Sequence, residues 1–418
     1  MKSTIEVQGT LRLSGQTSRR APRYVRGAPW VYSNEIEPPK SKFAPGSWAV
    51  LESAEGRILG TGFYNPHSLI AFRFFQRGAE FQGAQFESEV RARLSAALVL
   101  RQRALADYIN SGELGRNSFR LVFGESDGLP GLIVDLFESD NGKPVGVVQC
   151  HAAGADAFIS VLWSWMSSEL GAQALVVRND VEVREREGAA IFTETLGVLP
   201  SRTFAREGGV EFEASLLRGQ KTGYFYDLRH HRRHFAAALR GHRGVVLDAF
   251  SYIGSWGLQV LKQNPNLELL AADTSRAALD ILEANAAANG LKNRVRTVEC
   301  DLMKDDGRVF EKRSFAGVVC DPPALTQSAK QLEAGRRAHV DVFSRALSAA
   351  AAHGPVALAS CSFHLGIEGF LECVSDASFK AQRSYLMTEL GTQDVDHPVL
   401  AALPESRYLK CALGVVTT

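Results

Sequence analysis

Five short apolar runs recur along the C-terminal half of this chain. They are "GVVLDAF", "LELLAAD", "VRTVECD", "FAGVVCDPP" and "GPVALASCS". Helical apolar spacing is predicted over 255–263, over the Ala-rich stretch 275–289 and near 334–352. Strands alternating with helices at this spacing build an α/β domain around a doubly wound parallel sheet, because each parallel strand needs a crossover that covers one face. In such sheets ligands gather at the carboxyl ends of the strands. Four of the runs place an aspartate there, Asp248, Asp273, Asp301 and Asp321, and the fifth places Cys361.

The rest of the chain does not follow this pattern. Residues 1–77 carry short alternating runs such as "WAVL" and "IAFRF" between Gly and Pro turn signals, and predict a small β-barrel domain. Residues 78–205 predict a polar helix over about 84–110 and then strands in "RLVFGESDGLPGLIVDLF", "PVGVVQCH" and "QALVVRND", with a helix near 155–170: a central α+β domain. The third part, 206–418, holds the α/β pattern. Apolar residues make up 45% and charged residues 22% of the 418, which is ordinary globular usage. No run approaches the roughly 18 uninterrupted apolar residues of a membrane helix, and the first residues lack the apolar centre of a signal peptide, so a cytoplasmic protein is expected. The six cysteines form no CxxC pair, which argues against a zinc ribbon and for free thiols.

The net charge of +1 says nothing about nucleic acid, but its distribution does. Between Glu6 and Glu35 stand Arg12, Arg19, Arg20, Arg23 and Arg26 with no acidic residue. From Arg218 to Arg243 there are seven Lys or Arg and four His against the single Asp227. Each stripe suits either a phosphate-tracking surface or an ordinary solvated face.

Asp248 ends the first run and is followed by Gly254 and Gly257, which let backbone approach a ligand closely. The dinucleotide signature GxGxxG is absent. Asp273 lies 25 residues further on, where a carboxylate can accept both hydrogen bonds of a ribose diol. Taken alone, Asp273 reads better as a helix N-cap, together with Thr274 and Ser275. Asp301 ends the third run, where an adenine could lie. Three carboxylates in register are more specific than any one. They suit a nucleoside-bearing cofactor without a phosphate, since a pyrophosphate would be repelled.

Asp321-Pro322-Pro323 is a rigid turn that removes two backbone donors. Enzymes that methylate exocyclic amines usually follow the prolines with an aromatic residue, and here Ala324 follows. Cys361 stands between two serines at a strand end. Its bland reading is a buried structural thiol. Its chemical reading is a nucleophile: carbon 5 of cytosine accepts a methyl group only after a thiolate has added to carbon 6. Asp321 would then hold the base by its polar edge. Cys320, inside the fourth strand, reads as core. His230, His231 and His234 make no HExxH pair, so no metal is expected.

At this point the motifs are recognisable. "GAPWVYSNEI", "GESDGLPGLIVDLF", "GQKTGYFYDLRHHR", "VLDAFSYIGSWGL", "CDPPALTQSAKQ", "ASCSF" and "DHPVLAALPESRYLK" occur in the order found in RlmI-type bacterial rRNA large-subunit methyltransferases, and the chain resembles that family over nearly its whole length. The resemblance implies an RNA-binding PUA-like domain, a central domain and a Rossmann-like class I methyltransferase domain. It implies S-adenosylmethionine as cofactor, with Asp248, Gly254, Asp273 and Asp301 lining its site and Gln220, Lys221 and Thr222 near it. Cys361 and Asp321 would carry cytosine-5 methylation. The expected partner is rRNA, without a membrane; a homodimer is compatible. The second cysteine that many RNA cytosine-5 enzymes carry after the Asp-Pro-Pro turn is missing, which leaves the base that releases the thiol unassigned. Two other readings stay open: methylation of a different base atom, and a non-catalytic RNA-binding protein.

Overall fold

A computed structural model of the chain describes residues 5–15, 21–78, 81, 83–217, 219, 222–304, 309–310, 314–326 and 328–417. The strand and helix periods read from the sequence resolve into three sheets. The first holds β1 (Val7–Arg12), β2 (Trp30–Val31), β3 (Ser47–Glu52), β4 (Ile58–Tyr64) and β5 (Phe72–Arg77) in the order β1-β3-β4-β5-β2. A bridge between Leu13 and Ile36 draws its two edges together, as a small barrel requires. Helix α1 (Ala21–Val25) lies between β1 and β2.

Helices α2 (Phe86–Ala104) and α3 (Ala106–Asn110) lead into the second sheet. Its strands are β6 (Phe119–Phe123), β7 (Leu132–Ser139), β8 (Val145–Cys150), β9 (Ala174–Asn179), β10 (Phe192–Gly197), β11 (Thr203–Glu207) and β12 (Val210–Glu213). The order is β10-β9-β8-β7-β11-β12, with β6 also on β7. Helix α4 (Ile159–Glu169) is the crossover between the parallel pair β8 and β9, and the short α5 (Val183–Arg186) follows β9. Val161, Leu162, Trp165 and Met166 form the buried stripe of α4, the i, i+1, i+4, i+5 pattern of a helix with one apolar face.

The third sheet follows α6 (Arg229–Ala238). It consists of β13 (Gly244–Ala249), β14 (Leu267–Asp273), β15 (Val295–Glu299), β16 (Gly317–Cys320), β17 (Pro355–Ser360), β18 (Ser384–Gly391) and β19 (Lys410–Thr417), in the order β15-β14-β13-β16-β17-β19-β18. Helices α7 (Gly257–Gln263), α8 (Arg276–Ala288), α9 (Leu332–Ala349) and α10 (Ile367–Ala381) cover it. Every residue of β16 and β17 is buried, as expected for strands covered on both faces. The sheet is mixed, which corrects the wholly parallel expectation: β19 runs antiparallel to β17, and β18 antiparallel to β19. Strand β18 is an edge strand with most side chains half-buried or exposed, so it lacks the apolar run that marks its neighbours.

One hydrophobic core runs from the second sheet into the third, joining Phe137, Val145 and Phe212 to Leu239, Val246 and Leu269. Buried arginines cross the same boundary. Arg232 clamps Glu207 at 2.7 and 2.9 Å. Arg229 reaches Asp394 and Asp396 at 2.9 and 3.0 Å. Arg101 pairs with Asp127 and donates to the backbone of Asp396 at 2.9 Å. Three motifs far apart in sequence, "GESDG", "DLRHHR" and "DVDHP", therefore meet in one polar network.

Candidate active site at the carboxyl ends of the third sheet

The loop after β13 is bent sharply. Phe250 and Tyr252 have φ of +66° and +47°, and Gly254 has +87°. Both Phe250 and Ser251 donate their N–H to Ala272 O, at 2.9 and 3.0 Å. Left-handed non-glycine residues are costly and gather at functional sites. At Gly254 a Cβ would come within 2.8 Å of Leu282, so only glycine lets the loop pack on α8.

Asp248 is fully buried. Its Oδ2 accepts from Gly257 N at 2.9 Å, at the start of α7. Among the described residues its Oδ1 has no hydrogen-bond partner, and neither has the buried hydroxyl of Ser251 in the same loop. Burial pushes the Asp248 carboxyl up to about 8; the Gly257 N–H opposes this, and the nearby Asp321 and Asp273 reinforce it. Asp273 is held differently. Its Oδ2 accepts from Tyr252 N and its Oδ1 from Ser275 N, each at 2.9 Å. The N-cap of α8 is Ser275, which accepts from Ala278 N at 3.2 Å. Asp273 thus ties two loops together and keeps further lone pairs for a diol. Asp301 is half-exposed and accepts from Met303 N and Lys304 N at 3.1 and 3.3 Å. Its pairing with Lys304 holds the carboxyl below its usual range.

On the other side of β13, Trp256 Nε1 donates to Asp321 Oδ2 at 3.2 Å, which couples the first loop to the Asp-Pro-Pro turn. That turn is coupled in turn to the cysteine loop, because Thr326 N donates to Ser362 Oγ at 3.2 Å. Cys361 is half-buried, while Ser360 and Ser362 on either side are buried. Ser362 N donates to Ser360 Oγ at 3.3 Å. Ser360 Oγ lies 2.9 Å from Nε2 of the buried His339, whose Nδ1 meets Gly335 O at 2.7 Å. Lys410 donates to Ser362 O at 2.6 Å and to Tyr408 O at 2.9 Å. Burial, with the Arg407 charge, brings the Lys410 ammonium down to about 8, and Cys361 works against that fall. The serines flanking Cys361 are therefore structural props, and the Lys410 ammonium is held at the backbone of the residue that follows the thiol. Beside this loop, Phe363 and Tyr408 join Trp30, Phe123, Glu125 and Leu403 in lining a cavity of about 230 Å³.

The structure thus brings Asp248, Gly254 and Asp273 together around one loop, and links Asp321 and Cys361 through hydrogen bonds of neighbouring residues. Asp301 stands at the end of β15, the outer strand beside β14. Thr222 is buried and donates to Asp135 Oδ2 of β7 at 2.6 Å. Phe225, three residues on, packs edge-on against Tyr252 at 5.4 Å. Gln220 and Lys221 lie outside the described residues. Cys320 is fully buried with its thiol pushed well up by burial, in keeping with a core role.

Sequence reasoning did not single out Ser251, Trp256, His339, Tyr408 or Lys410. All but His339 sit inside quoted motifs, yet the roles of Trp256 and Lys410 depend on strands far away in sequence.

Of the basic stretch 218–243, Arg229 and Arg232 are buried in ion pairs, and Arg233 pairs with Glu113 at 3.3 Å. Arg218 is outside the described residues. Arg240 and Arg243 are exposed. In the N-terminal stretch Arg12 pairs with Glu52 and Arg23 with Glu35, Arg26 is exposed, and Arg19 and Arg20 are outside the described residues. Among the described residues, five of the eight arginines in the two stripes are thus carboxylate-paired, which sequence distance concealed.

Comparison with known proteins agrees with this architecture. Residues 17–77 match the PUA-like domain family and residues 233–356 the methyltransferase small domain family. Two solved structures share the fold across 97% of this chain and 99% of theirs. One is a protein classed as a methyltransferase and solved with S-adenosylhomocysteine (TM-score 0.74, 15% identity). The other is a protein classed as an S-adenosylmethionine-dependent methyltransferase from Streptococcus mutans (TM-score 0.71, 16% identity). Ribosomal RNA large subunit methyltransferase I of Alteromonas mediterranea is 30% identical over 398 residues, covering 94% of this chain and 96% of the relative. Its counterpart in Erwinia tasmaniensis is 31% identical, with 92% and 94% covered. With similarity of this extent, the chain belongs to the ribosomal RNA large subunit methyltransferase I family.

Proposed function

We propose that this protein is an S-adenosylmethionine-dependent rRNA methyltransferase that acts on carbon 5 of a cytosine through a covalent adduct at Cys361. The observation that carries the cytosine-5 reading is the placement of Cys361. It is half-buried at the end of β17, its loop is bonded to the Asp-Pro-Pro turn, and it lies within the field of the Lys410 ammonium.

The residues present fit the cofactor. The orphaned Oδ1 of Asp248 and hydroxyl of Ser251 offer unpartnered polar atoms at a strained, glycine-containing loop. Asp273 supplies a carboxylate for a ribose diol, and Asp301 one beside a base. Thr222 lies three residues before Phe225, which meets Tyr252 of the loop; Gln220 and Lys221 are assigned to the cofactor by the family resemblance alone. S-adenosylmethionine, when bound there, supplies an electrophilic methyl group.

Cys361 then attacks as the thiolate. Its Sγ bonds to carbon 6 of the cytosine, and the electron pair of the 5,6 double bond becomes available at carbon 5, which takes the methyl group. Loss of the carbon 5 proton re-forms the double bond and expels Sγ. Asp321, steadied by Trp256, holds the polar edge of the base. The cavity between Trp30 and Phe363 is of a size for a single base. The PUA-like region, taken as residues 1–77, docks the RNA; the central domain, expected over 78–205, keeps the strands of its sheet as far as Glu213, and the catalytic domain, expected over 206–418, follows them. Among the described residues no helix is long and apolar enough to cross a membrane, in keeping with a cytoplasmic enzyme.

RNA carrying 5-fluorocytosine at the target tests the mechanism, because fluorine cannot leave as a proton does. The expected result is a protein–RNA adduct mapping to Cys361 by mass spectrometry. It should be lost in Cys361→Ala and kept in Cys320→Ala. Normal methylation by Cys361→Ala would remove the covalent mechanism and the base atom with it.

A further inference from the structure

Three imidazoles of α6 converge on one carboxylate of β18. His231 Nδ1 lies 3.0 Å and His230 Nε2 3.3 Å from Glu389 Oε1, and His234 Nδ1 lies 2.5 Å from Glu389 Oε2. The rings of His230 and His234, one helical turn apart, are 4.0 Å from centre to centre. One ligand atom from each of His230, His231 and Glu389 lies within 4.8 Å of the others. From these contacts we propose that His230, His231, His234 and Glu389 form a site for a divalent transition-metal cation of the zinc type, which clasps α6 to the edge strand.

The surroundings of His231 suit a metal ligand. Its Nε2 lies 2.9 Å from Thr392 O, and its Nδ1 faces a carboxylate oxygen across 3.0 Å in a side chain that is 2% exposed. The backbone carbonyl on the far nitrogen also fixes ring and tautomer, as outer partners of metal-bound histidines do. Ligand atoms around tetrahedral zinc, with Zn–N of about 2.0–2.1 Å, stand about 3.3 Å apart. His230 Nε2 and His231 Nδ1 stand close to this distance from Glu389 Oε1, at 3.3 and 3.0 Å, and His234 joins them through the other carboxylate oxygen. Imidazole nitrogen and carboxylate oxygen without thiolate suit zinc and its neighbours rather than calcium or magnesium.

The backbone is shaped for this arrangement. The pairing of β18 with β19 slips between Met387 and Glu389, and such bulges re-aim side chains. At Gly391 a Cβ would come within 2.2 Å of His231 Cε1, so the strand gives up a side chain to admit the ring. A cavity of about 490 Å³ borders His234, Thr388 and Glu389 and offers an entry path. The absence of an HExxH motif concealed the site, because Glu389 stands 158 residues from His231. Past Thr392 the chain runs directly into Asp394 and Asp396, which hold Arg229. The cation would thus brace the network that joins the domains, away from the reacting cysteine.

The test is titration of the full-length protein, stripped with chelator, with Co²⁺ and then Zn²⁺. The expected result is one equivalent bound, with cobalt d–d bands that lack thiolate charge transfer and a rise in Tm. His230→Gln/His234→Gln, at half-exposed positions, and Glu389→Gln should each lower the affinity by more than about 100-fold, with circular dichroism checking that they fold. Absence of binding, binding with a thiolate spectrum, or unchanged binding in the variants would overturn the proposal. The first result would leave the cluster as hydrogen bonds between α6 and Glu389.

Discussion

Lys410 Nζ donates to the backbone carbonyl of Ser362 at 2.6 Å, one residue beyond Cys361. Lys410 opens β19, where it pairs in register with Ser360 at the end of β17. The antiparallel strand thus delivers a buried ammonium to the loop that holds the thiol. A nearby cation favours a thiolate.

Lys410→Met is expected to slow methylation at neutral pH while leaving cofactor affinity nearly unchanged. The alkylation rate of Cys361, followed against pH with iodoacetamide, should shift to higher pH in the variant. A profile that does not move would reduce Lys410 to a prop for Ser362 and Tyr408.

Asp248 gives a prediction about pH. Its folded-state pKa is raised to about 8 by burial, while the unfolded value is near 3.9. Between the two, the native state holds a proton that the unfolded chain releases. The stability it contributes is therefore complete below about pH 4 and is lost as pH rises through about 8. Across this window the slope is about 1.4 kcal/mol per pH unit. Asp248→Asn removes the dependence and keeps an acceptor for Gly257 N. The Tm of the cofactor-free variant should match the parent near pH 4, exceed it increasingly up to about pH 8 and hold a level difference above that. A constant difference would mean that Asp248 is ionised throughout.

Asp273→Asn separates the two roles of that carboxylate. The amide oxygen can keep one of the backbone donors at Tyr252 and Ser275, but the charge is lost. Calorimetry should show S-adenosylmethionine binding weakened by about 1.5–3 kcal/mol, the range for a hydrogen bond to a charged group. Unchanged affinity would leave Asp273 only the task of tying the two loops.

What the sequence disclosed follows from how local each signal was. Strands β13, β14, β16 and β17 are apolar runs with Asp248 next to last in the first, Asp273 last in the second, and Asp321 and Cys361 one residue beyond the other two. Both the period and the strand end can be read within ten residues. The partners of those groups could not be read. Trp256 reaches Asp321 across 65 residues, and Lys410 reaches Ser362 across 48. Strand β18 escaped notice because its exposed edge lacks an apolar run. The basic stripe misled for the same reason: Arg232 lies 25 residues from the Glu207 that neutralises it.

That burial separates the arginines by experiment. Arg232 is almost fully buried and donates to both oxygens of Glu207 and to Phe225 O. Arg232→Met should cost about 3–5 kcal/mol of stability, because it leaves a buried carboxylate short of its partner. It should leave the salt dependence of RNA binding as it was. Arg240→Ala/Arg243→Ala alters exposed side chains, so stability should change little. If these residues touch phosphates, the slope of log K against log salt should flatten by about 0.7–0.9 for each phosphate no longer neutralised. Filter binding over a salt series, beside denaturant melts, reads both quantities. A flattened slope in folded Arg232→Met, or an unchanged slope in the exposed pair, would assign the phosphate binding elsewhere, with the exposed Arg26 of the PUA-like region the next position to test.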